Sequence, residues 1–338
     1  MKKTFFPAFL LLLLILNGNA QTIFVDVVKG NGEGSGSSAD PISSLEKAVE
    51  LANGYSGRDP ITIKIAPGLY IVHQVMELKP KPGDEATKFT VESTIMPDDT
   101  AWTPYKMPII ESVSLDNMKA PFPHCAGFLV SRNNVSIKGL KFVGNANPDV
   151  KYYYPVNRED QTRFGLEISQ CYFVGEKNSL PIQGALWTEG AGIHVDHCIF
   201  YGCKNALLLF RSIKDFSVTN SIIYNSYESA VWFGNFDSDF VFSNNIVSHC
   251  NYFWVRPDST KPAYHFINSL ISENSHIMGY YTKNGLIEAK QNADVETNVR
   301  RKGKVLLVEV GTEGIPKDYL NLVAESDGKD LHAGIFKK

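Results

Sequence analysis

Cysteine is scarce, with five in 338 residues. That excludes a dense disulfide framework as the source of stability in an exported chain. Zinc-type Cys/His spacing, a phosphate-binding glycine loop and a nucleophile elbow are all missing. Charge of one sign is also lacking: the formal net charge is −3, which argues against nucleic acid as the main partner. Long apolar runs are absent except near the start, where Ala8–Leu16 falls short of the ~20 residues a membrane span needs. Lys2 and Lys3 precede that run, and Gly18-Asn19-Ala20 ends it with small residues. This pattern predicts a secretory signal over 1–20, cleaved before Gln21. The expected location is secreted, periplasmic or cell-surface, with no membrane span after cleavage. Gln21 stands where lipid attachment at that site would need cysteine.

What the chain has is a repeat. IHVDHCIF (Ile193–Phe200), FSVTNSII (Phe216–Ile223), FVFSNNIV (Phe240–Val247) and YHFINSLI (Tyr264–Ile271) begin 23, 24 and 24 residues apart. Weaker copies start at Leu166 and Val135. Each alternates apolar and polar residues, breaks at a polar corner, then alternates again. That pattern is strand, short corner, strand. At this period it predicts a solenoid of stacked coils, all-β in class. We therefore expect one elongated domain over 21–338, with a cap over 21–60, coils over about 61–290 and a C-terminal segment over 291–338.

Asp40-Pro41 is read as the start of a short capping helix, with Ile42, Leu45, Val49 and Ala52 at helical spacing and Gly54 ending it. Such a helix covers the open end of a solenoid. Asn220, Asn244 and Asn268 fall 24 apart at one corner. Their amides are expected to bond corner backbone groups and one another. His197 occupies the same corner one coil earlier. Cys171 and Cys198 are 27 apart, and are read as stacked thiols in preference to a disulfide. Residues 145–163, with three successive tyrosines and no alternation, read as a long loop leaving the solenoid.

The order of strand, glycine-rich loop, cap helix and TIKIAPGLY, followed by SIKGLKF and the later coils, resembles the pectate-lyase-like right-handed parallel β-helix superfamily. The resemblance covers roughly residues 22 to 290, and the ending DLHAGIFKK looks like a closing strand of that family. It implies three strands per coil and action on an extracellular polysaccharide. VDHC (Val195–Cys198) and Arg256-Pro257 followed by HFIN look like stretches of the calcium pectate lyases. The resemblance fails where those lyases carry calcium-binding carboxylates. This chain has Trp187, Leu208 and Trp232 there, and apolar side chains offer a hard cation no oxygen ligands. No metal ligands are assigned, and calcium is left open as a cofactor.

The third strand of successive coils reads ALWT, ALLL, AVWF and YFWV. Alternation sends Trp187, Leu208, Trp232 and Trp254 outward in one stripe. Indoles stack on sugar rings, so Trp187, Trp232 and Trp254 are the candidate substrate-binding residues, and a polysaccharide or oligosaccharide is the expected partner. A covering segment, the C-terminal one or the tyrosine loop, is the competing explanation of the stripe. Charged turns follow these strands. Glu189, Arg211 and Arg256 are the candidate catalytic residues. An arginine would hold a uronate carboxylate in a lyase, or act as its base if its charge were suppressed. Glu189 with Asp237 or Asp239 would form the acid–base pair of a hydrolase. A non-catalytic glycan-binding protein and a structural or adhesive surface protein are the readings from other classes.

Overall fold

The computed structural model describes residues 21–117, 122–233, 240–257, 264–288 and 295–337. The predicted signal segment lies outside them. The chain forms the expected parallel β-helix, with three sheets of ten, nine and eight strands. Each coil visits the ten-, the eight- and then the nine-strand sheet. One such coil is Phe164–Ser169, Tyr172–Val174 and Gly184–Thr188. The pairings are parallel except for one hairpin, His276–Thr282 with Gly285–Glu288. Coils stack in register because every second side chain enters one continuous core. Inside it, Phe142, Phe173 and Phe200 stack at 5.0 and 4.9 Å between ring centroids.

The cap differs from the expected one by a few residues. The helix is Leu45–Gly54, and Ser44 caps it by accepting the Lys47 N–H. Asp40 is occupied elsewhere, bonding Asn31 and the Ser35 N–H. Ile42 joins Val25 and Asn31 in isolated bridges. The helix buries Leu45, Ala48, Val49 and Ala52.

The corner between the ten- and eight-strand sheets carries the expected ladder. Asn244 Nδ2 donates to Asn220 Oδ1 (3.1 Å), and Asn268 Nδ2 donates to Asn244 Oδ1 (2.6 Å). Asn298 extends the ladder at one end, and Asp196, with His197 bound to it, closes the other. These amide and imidazole residues hold φ between 44 and 56°, a left-handed turn that asparagine tolerates. The five cysteines are buried and free, Cys171 and Cys198 among them.

Two expectations fail. Residues 145–163 do not leave the solenoid: Tyr153–Arg158 is a fully buried strand of the nine-strand sheet, between Cys125–Val130 and Gly184–Thr188. Pro155 interrupts its alternation. Its neighbour must be Gly127, where a Cβ would come within 2.6 Å of the Pro155 carbonyl oxygen. The ending DLHAGIFKK forms no closing strand; it has one short turn of 3-10 helix, Lys329–Leu331, and otherwise irregular backbone. The C-terminal segment instead runs back along the eight-strand sheet. Val305, Leu320, Leu322, Leu331 and Ile335 cover outward Tyr172, Ile199, Ile222, Ile246 and Leu270. Gln170 Nε2 bonds the Ile335 carbonyl, and the Lys337 N–H reaches Asp98.

Candidate active site

The outward row of the nine-strand sheet runs Leu129, Asn157, Trp187, Leu208, Trp232, Val255. Trp187 and Trp232 therefore occupy the face predicted for them, both half-buried. Trp254 does not. Tyr252 pairs with Ser229, one residue earlier than the expected match with Ala230, so Trp254 pairs with Val231 and points inward. A one-residue slip moves a side chain to the opposite face. Trp254 is 0% exposed and packs on Phe240, Tyr264 and Phe266. The same slip takes Arg256 into the core. It is 1% exposed, its guanidinium carbon 3.8 Å from the Tyr264 ring centroid. Neither residue is placed to meet a polymer on the surface.

Glu189 and Arg211 are brought together. Arg211 Nε lies 2.9 Å from both Glu189 carboxylate oxygens, and a terminal nitrogen lies 2.8 Å from one of them. Glu189 is buried, while the arginine side chain is largely exposed. Burial pushes the Glu189 carboxyl above its ordinary value; Arg211 works against this, and the nearby negative charges of Glu159 and Asp160 add to it. Asp237, Asp239 and Asp258 lie outside the described residues.

The partner that sequence reasoning missed is Glu159. Arg158 and Thr188 are paired across adjacent coils, so Glu159 and Glu189 follow them in neighbouring coils, which stack at about 4.8 Å. Glu159 Oε1 meets His124 Nε2 at 2.7 Å and accepts from Asn157 Nδ2 at 2.6 Å. The His124 bond is the main cause that holds the Glu159 carboxyl below its ordinary value, against the effect of burial. His124 is itself buried. Burial disfavours its charge, but Glu159 and the Phe122 carbonyl oxygen (2.9 Å from Nδ1) outweigh that and raise its pKa. With an acceptor at each ring nitrogen, the charged imidazolium is the favoured form.

Trp187 sits beside this cluster, ringed by Tyr154 (4.8 Å), His124 (5.1 Å), Phe122 (5.5 Å) and Phe210 (5.8 Å). Asn157 Oδ1 and Trp187 Nε1 are among the polar atoms buried here without a hydrogen-bond partner. Such atoms are costly in a folded protein unless something satisfies them. Among the described residues no group of three His, Cys, Asp or Glu is placed to hold a metal ion. The arrangement offers two glutamates in contrasting environments, an aromatic platform, a free acceptor and a free donor.

No family model matches the chain, and no curated protein matches it. Among solved structures it is similar to a rhamnogalacturonan lyase, at 11% identity and a TM-score of 0.44, covering 94% of this chain and 100% of that one. It is similar to a lacto-N-biosidase from Eubacterium ramulus at 9% identity and a TM-score of 0.39, covering 83% of this chain and 65% of that one. A pectin methylesterase from Erwinia chrysanthemi aligns at 12% identity and a TM-score of 0.34, covering 92% and 94% of the two chains. No residue of the site is carried over from these likenesses.

Proposed function

We propose that this chain is an exported glycan-acting enzyme that cleaves a polysaccharide by acid–base chemistry at Glu159 and Glu189. The observation that carries the reading is the pair itself. Two glutamates on adjacent coils have pKa values pushed in opposite directions, beside an indole able to stack on a sugar ring. Environments that separate two carboxyls in this way assign an acid and a base. Glu189, shifted upward by burial, is assigned as proton donor to the leaving glycosidic oxygen, a role that requires Arg211 to leave its carboxylate. Glu159, held ionised by His124, faces the sugar from the neighbouring coil. Carboxyls about 5 Å apart suit direct attack on the anomeric carbon, and wider pairs suit activation of a water.

Burial of Arg256 removes the main reason for favouring an acidic polymer, and Arg211 already serves Glu189. A neutral or mixed glycan therefore fits the site better than a polyuronate. The second reading, glycan binding without cleavage, is favoured by one observation: both carboxylates are held in ion pairs.

A polysaccharide panel tests the proposal, assayed for new reducing ends and for ultraviolet-absorbing unsaturated products. We expect reducing ends without unsaturated product. Glu159→Gln and Glu189→Gln should each lower the rate by at least about a hundredfold, the usual scale for general acid–base groups. Unsaturated product would establish elimination and overturn the hydrolytic assignment. Saturable binding of a glycan that is never cleaved would establish the second reading.

A further inference from the structure

The outward row of the eight-strand sheet runs from Leu69 and Ile109 through Lys141 to Tyr172, Ile199 and on to Leu270. The C-terminal segment covers it from Tyr172 to Leu270, and Lys141 is its one charged member. A lysine at such a place is expensive to bury and is normally paired. Here no described residue forms an ion pair or hydrogen bond with its ammonium, which lies 5.7 Å from the Tyr319 ring centroid. Burial alone lowers its pKa.

Lys141 lies in a cavity of about 240 Å³. Pro104, Tyr105 and Met107 form one wall, and Ile315 and Tyr319 of the C-terminal segment form another. The walls are tied together where the Ile315 N–H donates to the Tyr105 hydroxyl at 2.8 Å. The cavity is therefore built by the fold, with an apolar and aromatic lining and one cation.

We propose that this cavity binds a small organic carboxylate, its anionic group on Lys141 and its ring or apolar body between Tyr105, Tyr172 and Tyr319. The chemistry follows from what is present. Lys141 is half-buried, and a half-buried cation attracts an anion more strongly than a fully exposed one does. Aromatic walls accept a flat apolar body or the apolar face of a sugar ring. An inorganic anion would leave those walls unused. The site is separate from the Glu159–Glu189 pair, which lies at another edge of the coil, and it stands or falls independently of the proposed activity.

Titration calorimetry on the purified protein tests it, with benzoate and glucuronate as probes and benzamide and glucose as their neutral counterparts. Benzoate or glucuronate should bind with millimolar or better affinity, each neutral counterpart at least tenfold more weakly. Binding by benzoate alone assigns an apolar acid, and by glucuronate alone a sugar acid. Lys141→Met, which suits an apolar row, should abolish the binding and raise the thermal midpoint. A second measurement needs no variant. With formaldehyde and cyanoborohydride, Lys141 Nζ condenses with loss of water and hydride reduces the imine. Peptide mapping should show that modification slowed at least tenfold by the carboxylate probe and unaffected by its neutral counterpart. Failure of both acids to bind, binding unchanged in Lys141→Met, or absence of protection would overturn the proposal.

Discussion

Two corners of the solenoid solve the same problem in opposite ways. Where the ten- and eight-strand sheets meet, the backbone turns left-handed, and from Asn220 on successive coils use the same residue type, with each amide bonded to the next; the coils of Glu159 and Glu189 carry Gly139 and Gln170 there. Where the nine-strand sheet turns into the ten-strand sheet, the residues change from coil to coil. Glu159 and Glu189 are followed by Phe210 and an arginine that reaches back. From Asn220 on, the first corner is uniform and bonded. The second brings together charges of both signs, and beside it lie buried polar atoms without partners. A solenoid needs only repetition to stand, so a place where the repeat is abandoned, at a cost in stability, is where a role other than stacking is to be sought.

The sharpest way to break this comparison is to move the boundary between stacking residue and surface residue. Trp254→Ala should cost about 3–5 kcal/mol, as other large buried aromatics do on truncation. It should leave glycan affinity intact in whatever fraction stays folded. Urea unfolding with a binding assay at low denaturant checks both halves, and lost affinity at unchanged stability would return Trp254 to the surface. On the uniform corner, Asn244→Leu removes an amide that donates to Asn220 and accepts from Asn268. A loss of about 1–3 kcal/mol is expected, the scale for unpaired polar groups, with substrate preference unchanged. A variant as stable as the parent would mean that the ladder is ornamental.

On the variable corner the effects should be smaller and functional. Titration of the His124–Glu159 pair gives a test by sign. His124 has a raised pKa, so its stabilisation is complete below its ordinary value of 6.5 and is lost as pH climbs through the folded value. Glu159 has a lowered pKa, so its stabilisation is present above its ordinary value of 4.5 and is lost as pH falls through the folded value. The pair should therefore add a plateau between those two ordinary values that erodes on both sides. His124→Gln should flatten the alkaline flank in a series of thermal midpoints. An unaltered flank would show that the imidazolium contributes nothing.

The uniform half of the molecule was legible in the sequence because repetition is a sequence property. Strand, corner and ladder recur at 23 or 24 residues, and Asn220, Asn244 and Asn268 announced their own stacking. The site was legible only in part. Glu189, Arg211 and Trp187 follow a regular strand, so alternation placed them correctly. Asn157 lies in, and Glu159 follows, a strand containing Pro155 and an inward Arg158, which carries no alternation to read. His124 precedes the preceding coil's strand of the same sheet, Cys125–Val130, and reaches Glu159 only through stacking. A signal was available: the spacing from Val135 to Leu166 leaves room for a full coil's third strand, which the three tyrosines begin. Trp254 and Arg256 went astray for a narrower reason. Phe253, Trp254 and Val255 are all buried, and a run that is apolar on both faces does not reveal its own register.

The returning C-terminal segment gives this rod a property that open solenoids lack. In an open solenoid each coil senses only its neighbours, and the ends fray independently. Here Lys337 is bonded to Asp98 and paired with Asp196, Ile335 to Gln170, and Ile315 to Tyr105. These residues are thus fastened to coils far earlier in the sequence. The strap couples early, middle and late coils into one cooperative unit, so the chain should unfold in a single transition. Deleting residues 298–337 should convert that transition into a broad, stepwise melt. It follows as well that the outward apolar row from Tyr172 to Leu270 stays bare until residues 305–335 dock on it, which sets the order of events in folding: coils first, clasp last.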